Sequence, residues 1–224
     1  TTTPNPDSMA QITFFDINVS QADLALLSGS NWLNGTIIAF QFARLQQKSP
    51  PQHNNILIDP SVLSFIFFQL DVNDPDERKD FTGPNGVLAN KENATLFLPI
   101  NSEMRAGNCL RVNGGAHWSL AKLSIASGKL LFVDHYDSHA GSGNELALVD
   151  VCNKICKILG CETVPKIAKI SVPQQQNGYD CGVFTLMFAE KLVNGGSHLE
   201  CTQEVVEGTK NEIRADILRR FSSL

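Results

Sequence analysis

The stretch PQQQNGYDCGVFTLMF, Pro173 to Phe188, changes character at its middle. Polar and turn-forming residues follow Pro173, and then a single cysteine, Cys181, stands at the edge of a strongly apolar run. Read as a helix, GVFTLMFAEKLV (182–193) puts Cys181 at its N-terminus. Unpaired backbone N–H groups and the positive end of the macrodipole there stabilise a thiolate. A cysteine so placed can ionise near neutral pH and serve as a nucleophile. Asp180 is then a candidate N-cap through its side-chain oxygen, and Gly178 permits a tight turn that projects the sulfur from a loop end. The competing reading is a small buried hydrophobe, a common use of free cysteine. Position alone leaves both open.

Working outward, KIAKISV (166–172) reads as a strand leading into the cysteine loop, and NELALVDVCNKICKIL (144–159) as a helix closed by Gly160 at its C-cap. Further upstream, TLFLPI, HWSLAKLSI and KLLFVDHY are short, apolar-rich or alternating, and separated by turn formers; the last two are predicted to pair as a hairpin. NWLNGTIIAFQFARLQQ carries Ile38, Phe42 and Leu45 at helical spacing with Asn34 as N-cap. DPSVLSFIFFQL predicts a shorter helix with Pro60 in its first position. In TKNEIRADILRRF, Thr209 and Glu212 form a capping-box pattern and Ile213, Ile217 and Phe221 share a face. Residues 71–94, rich in Asp, Asn, Pro and Gly, are expected to form a surface excursion. Helices, then strands, then helices predict an α+β fold.

A chain of 224 residues with 42% hydrophobic content can bury a substantial core. Residues 1–10 read as a flexible leader and 11–224 as a single domain; Thr1, in the place of a start methionine, leaves room for preceding residues. The net charge of −5 speaks against a phosphate-binding surface and hence against nucleic acid as the partner. Apolar runs are too short to cross a bilayer. Six cysteines, Cys109, Cys152, Cys156, Cys161, Cys181 and Cys201, in a chain of this size without a signal-like start point to a reducing compartment rather than a disulfide framework. Cys152 and Cys156 share a helix face, and no fourth ligand at zinc spacing accompanies them and Cys161, so core packing is expected and no metal or cofactor.

A nucleophilic thiolate needs a base, a group that orients the base, and an oxyanion site. Of five histidines, His53 and His198 sit in polar loops and read as solvated. His117 opens a strand after NGGA and precedes Trp118. His135 and His139 flank Asp137 at the end of another strand. Adjacent strands carrying a histidine and an aspartate at neighbouring positions could set a carboxylate against an imidazole.

NWLN (31–34), GGAHWSL (114–120), HYDSH (135–139) and QQNGYDCG (175–182) resemble, in that order, the ubiquitin-like-protein-specific cysteine proteases, the family of SUMO proteases and deneddylases. GGxHWSL with HYDSH and a tyrosine before DCG is most similar to the deneddylase branch. The resemblance covers about Asp16 to the last helix. It implies a papain-like cysteine protease fold, a central mixed sheet flanked by helices with the nucleophile at a helix N-terminus. It implies Cys181 as nucleophile, His117 as general base and then acid, Asp137 as the orienting carboxylate, and Gln175 with the Cys181 N–H as oxyanion donors. Asp134 is the nearest rival to Asp137. Along a strand the two positions face opposite sides, so at most one meets His117; the HYDSH alignment selects Asp137. Gln174 and Gln176 are rivals to Gln175 that spacing leaves in play.

In the family, rings at the positions of Trp32 and Trp118 flank a passage for the modifier's Gly-Gly tail, which glycine passes because it lacks a Cβ; the alternative is two core anchors. The resemblance further implies a ubiquitin-like modifier and its conjugates as partners, with neddylated cullins as candidates, an isopeptidase and precursor-processing activity, a monomer, and the cytoplasm or nucleus. One departure is Gly35, where the family often has an acid after WLN; with the 71–94 segment it leaves the modifier's identity open. The alternatives are a SUMO or ubiquitin protease, acetyl transfer from CoA by the same residues, and a silent modifier-binding module.

Overall fold

The computed structural model describes residues 12–50, 53–84, 86–89, 92–104 and 117–221. The expected leader, Cys109 and the glycines of GGAHWSL lie outside them. The described chain opens with a two-stranded antiparallel hairpin, β1 (Ile12–Phe14) and β2 (Ile17–Val19). Phe15 and Asp16 make its turn with φ of 46° and 63°. No glycine marks this left-handed turn, so turn chemistry gave no signal. A short helix α1 (Gln21–Ala25) follows, capped by a reciprocal Ser20–Asp23 box.

Asn34 begins α2 (Gly35–Lys48) by accepting a hydrogen bond from the Ile37 N–H, and Ile38, Phe42 and Leu45 are buried along one face. After β3 (Asn55–Leu57), Pro60 takes the first position of α3 (Pro60–Phe68), where its missing N–H costs nothing. Most described residues of 71–94 are exposed, as expected of a surface excursion, but the segment also contains α4 (Pro75–Thr82), capped by Asp74, with Phe81 buried. Val72, Phe81 and Leu88 anchor to an apolar core a segment whose composition reads as loop.

Three long strands come next, β4 (Asn93–Asn101), β5 (Trp118–Ala126) and β6 (Lys129–Tyr136). β5 and β6 form the expected hairpin, with a register irregularity at Ser124/Ile125. α5 (Asn144–Leu159) ends at Gly160, whose φ of 72° suits a residue without a Cβ. β7 (Ile167–Ile170) leads to α6 (Cys181–Val193); single 3₁₀ turns at His198–Glu200 and Gln203–Val205 precede α7 (Val206–Phe221). The expected start of α7 is corrected: Thr209 lies inside the helix, and its hydroxyl donates back to the Val205 carbonyl at 3.1 Å instead of capping.

The main sheet has the order β3-β4-β5-β6-β7, parallel at its two outer pairs and antiparallel within. It is therefore mixed, as expected, and apolar cores lie on both its faces. One core joins Leu120 of β5 to α2, α6 and α7; the other joins Leu123 and Ile125 to α3 and α5. Leu120 and Leu123 are fully buried on opposite faces, and each contributes about 1.5–3 kcal/mol through burial. Cys152 and Cys156 face the second core as expected. Among the described residues no helix is long and apolar enough to cross a membrane.

Candidate active site

The two central strands and the N-terminus of α6 meet at one end of the sheet. His117 directly precedes β5, Asp137 directly follows β6, and Cys181 is the first residue of α6. His117 Nε2 lies 2.7 Å from Asp137 Oδ1, with both side chains largely buried. That contact occupies Nε2 and leaves Nδ1 as the second ring nitrogen, and Cys181 is close enough to raise the basicity of His117.

Burial alone would lower the basicity of His117. The Asp137 hydrogen bond, the Cys181 hydrogen bond and the negative charges of both outweigh it and raise its pKa to about 9. Asp137 shows the converse. Burial would raise its pKa, but His117, the Ser142 hydroxyl and the His139 N–H hold it below the usual carboxylate range. The Ser142 hydroxyl donates to Oδ2 at 2.6 Å and the His139 N–H to Oδ1 at 2.9 Å. The rival Asp134 stays on β6 and faces Lys122 at 3.8 Å.

The other histidines are set apart. His135 is buried with Nε2 at 2.9 Å from the Ser119 hydroxyl, and burial pushes its pKa down. His53 is exposed, as expected. His198 is a correction: rather than being simply solvated, it is half-buried, its ring lies edge-on to Tyr136, and Nε2 is 3.1 Å from the Ser171 carbonyl. His139 is exposed but its ring centroid lies 5.8 Å from that of His117.

Two further expectations about the cysteine loop are corrected. Asp180 occupies the N-cap position of α6 but makes no capping bond. Its carboxylate is held elsewhere, Oδ1 at 2.6 Å from Lys210 Nζ and Oδ2 accepting from Asn177 Nδ2 and Gln203 Nε2. The cap's usual acceptor is thereby turned away from the first N–H groups of α6. Gly178 is not in the left-handed region, so its lack of a Cβ is not what shapes the turn. The glycine that matters sterically is Gly182, where a Cβ would stand 2.9 Å from Leu33 Cβ and 3.4 Å from Trp118 Cδ1.

Gln175 is fixed from both ends of its amide. The Ser138 hydroxyl donates to Oε1 at 2.8 Å, and Nε2 donates to the Asn177 carbonyl at 2.5 Å. The Gln175 N–H also donates to the Ser138 carbonyl. One amide N–H of Gln175 thus remains for a developing oxyanion. The rivals point to other tasks: Gln174 bridges Asp137 O and the Ala140 N–H, and the Gln176 N–H donates to Gln203.

Trp118 is buried, its Nε1 donating to the Leu33 carbonyl at 2.9 Å, whereas Trp32 is 50% exposed. Both rings line one cleft of about 560 Å³ together with Leu33, Gly35, Phe68 and Met104. Trp118 is therefore a core anchor and a cleft wall at once, and Trp32 is no core residue.

Sequence reasoning missed four supporting residues. Ser138 and Ser142 were within or beside a quoted motif but carried no role. Asn144, fully buried at the start of α5, donates to the carbonyls of Ile100 and His117 and to the Ser119 hydroxyl, tying the backbone of His117 to β4 and β5. Gln203 lies 27 residues from Gln176, and no local pattern announces such a contact.

Comparison with known proteins adds a second line. Residues 31–223 match the model of the Ulp1 protease family, C-terminal catalytic domain. The chain is similar to human sentrin-specific protease 8, with 34% identity over 186 residues covering 81% of this chain and 80% of that protein. It is also similar to NEDD8-specific protease 1 of Arabidopsis thaliana, with 28% identity over 223 residues covering 95% and 92%. Among solved structures, the C-terminal Ulp1 protease domain in complex with Smt3, the yeast ortholog of SUMO, superposes with a TM-score of 0.68. It covers 94% of this chain and 88% of that one at 19% identity, a likeness of fold.

Proposed function

Because the chain belongs to the Ulp1 protease family through that catalytic domain, we propose that Cys181, His117, Asp137 and Gln175 perform its reaction and that NEDD8 is the modifier it prefers. The chain is a cysteine protease of the kind that acts on ubiquitin-like modifiers, with a papain-like α+β fold. The observation that carries the residue assignment is the 2.7 Å contact of His117 with Asp137, with Cys181, the first residue of α6, near enough to raise the basicity of His117.

The sulfur anion attacks the carbonyl carbon of the modifier's last glycine, and the carbonyl oxygen becomes an oxyanion. The free N–H of Gln175 and the N–H of Cys181 stabilise it. The imidazolium of His117 gives its proton to the leaving amine, so the C–N bond breaks and a thioester remains. His117 then takes a proton from water as the water attacks the thioester, which releases the glycine carboxylate and restores the sulfur. Asp137 holds the ring so that Nδ1 faces the sulfur throughout.

The preference for NEDD8 is supported by the Arabidopsis relative, which bears that modifier in its name and matches along 95% of this chain. Neddylated cullins are candidate conjugates, and the described free thiols suit a reducing compartment, the cytoplasm or nucleus. NEDD8, SUMO and ubiquitin, each ending in a C-terminal vinyl sulfone, test both parts. The NEDD8 reagent is expected to alkylate Cys181 fastest, and Cys181→Ala to block the adduct while still binding modifier. Gln175→Ala is expected to slow turnover by about 10²–10³. Adduct formation with none of the three reagents overturns the residue assignment, and faster labelling by SUMO or ubiquitin overturns the preference.

A further inference from the structure

The segment that carries Cys181 is gripped from a part of the chain that contributes nothing to the catalytic line. Gln203, on the 3₁₀ turn before α7, uses both ends of its amide. Its Oε1 accepts from the Gln176 N–H at 2.9 Å, and its Nε2 donates to Asp180 Oδ2 at 2.8 Å. These contacts fall on the residue after the oxyanion glutamine and the residue before the nucleophile. Within the loop, Asn177 closes the remaining gap. Its carbonyl accepts from Gln175 Nε2, its Oδ1 accepts from the N–H groups of Tyr179 and Asp180, and its Nδ2 donates to Asp180.

Lys210 of α7 makes this arrangement one-directional. It is 2% exposed, lies 2.6 Å from Asp180 Oδ1, donates to the Gly29 carbonyl and sits over the Tyr179 ring. A buried ammonium so close keeps Asp180 an anion, and an ionised carboxylate only accepts hydrogen bonds. The amide of Gln203 must then present its NH₂ to Asp180 and its oxygen to Gln176. Flipped, it would lose both bonds and set two acceptors face to face.

We propose that Gln203, oriented by the Lys210–Asp180 pair, is a positioning residue that fixes the distance between the oxyanion donor Gln175 and the sulfur of Cys181. The inference rests on the protease reading of Cys181 and deepens it. Substrate already bound is attacked less often when the donor and nucleophile drift apart, so the loss falls on kcat rather than on KM.

The test is steady-state hydrolysis of NEDD8 bearing a C-terminal aminocoumarin amide by the parent chain, Gln203→Ala, Gln175→Ala and the double variant. Gln203→Ala is expected to lower kcat about tenfold at unchanged KM, less than loss of the donor itself. When Gln175 is already alanine, the same change is expected to cost less than about twofold, because the two residues act through one interaction. Gln203→Glu, which sets a second carboxylate against Asp180, is expected to be slower than Gln203→Ala. An equal factor in both backgrounds, a raised KM at full kcat, or a Gln203→Glu enzyme with parental kcat overturns the inference. Gln203 is half-buried at the surface, so these variants keep the core intact. Failure of the protease reading shows as an inert parent chain, and failure of this inference as an active parent with insensitive variants.

Discussion

The Ser138 hydroxyl donates to Oε1 of Gln175 at 2.8 Å, and this bond decides which way the glutamine amide faces. With the oxygen taken, the NH₂ group is turned toward the Asn177 carbonyl and the cysteine loop. Ser138 is 1% exposed, so water does not replace its hydroxyl when it is removed. Ser138→Ala is expected to lower kcat about tenfold with little change in KM, and to cost about 1 kcal/mol of stability for the lost hydrogen bond. Steady-state kinetics beside urea unfolding separate the two effects. Parental kcat in a destabilised Ser138→Ala enzyme would assign Ser138 to folding alone.

The raised pKa of His117 predicts the alkaline side of the pH profile. In the proposed mechanism the His117 imidazolium protonates the leaving amine, and it is lost as pH rises through about 9, so kcat/KM should fall there. Asp137 is second only to burial among the causes, and Asp137→Asn is expected to move the limb down by about one unit or more. Folding follows the same signs. The contribution of His117 is complete below its unfolded value of about 6.5 and disappears as pH rises through about 9. That of Asp137, held low, is present above its unfolded value and disappears on acidification. An alkaline limb that stays in place in Asp137→Asn contradicts the assignment.

Gly182 is the tightest described glycine near the nucleophile. A methyl group there meets Leu33 and Trp118, and Gly182→Ala is expected to cost about 1–3 kcal/mol as overpacking. Because Gly182 follows Cys181, kcat should fall as well. Adding Leu33→Ala relieves the clash, so the double variant should lose less stability than the sum of the two single changes. Strict additivity in chemical denaturation would show that the neighbours yield freely.

The two tryptophans should respond in opposite ways. Trp32 is half exposed, so Trp32→Ala is expected to leave stability within about 0.5 kcal/mol while raising KM at least about tenfold if the ring meets the modifier's tail. Trp118→Ala removes a buried ring and the partner of the Leu33 carbonyl, and is expected to cost about 3–5 kcal/mol. Unchanged KM in Trp32→Ala would remove that ring from substrate recognition.

The legible parts of this molecule were those written in local chemistry. Asn34 and Pro60 announced helix starts, Gly160 announced a helix end, and alternation marked β5 and β6. The hairpin of β1 and β2 was not legible because its turn uses Phe15 and Asp16 rather than glycine or asparagine. α4 was hidden by its polar composition, since Phe81 alone ties it to the core. At the site, the meeting of His117 with Asp137 followed from strand adjacency and motif order. Asp180 was misread because capping is judged from neighbours in sequence. Its actual partner, Lys210, arrives from thirty residues later, and a buried ion pair leaves no periodic trace.

Trp32 and Trp118 are the chain's two indoles, and one is wet while the other is dry. Their emission therefore divides by colour: Trp118 should glow toward the blue whatever the occupancy, and Trp32 toward the red when water touches it. On the proposed reading, a tail passing Trp32 would strip that water, and the shift in its emission would then serve as an optical gauge of loading that needs no attached dye.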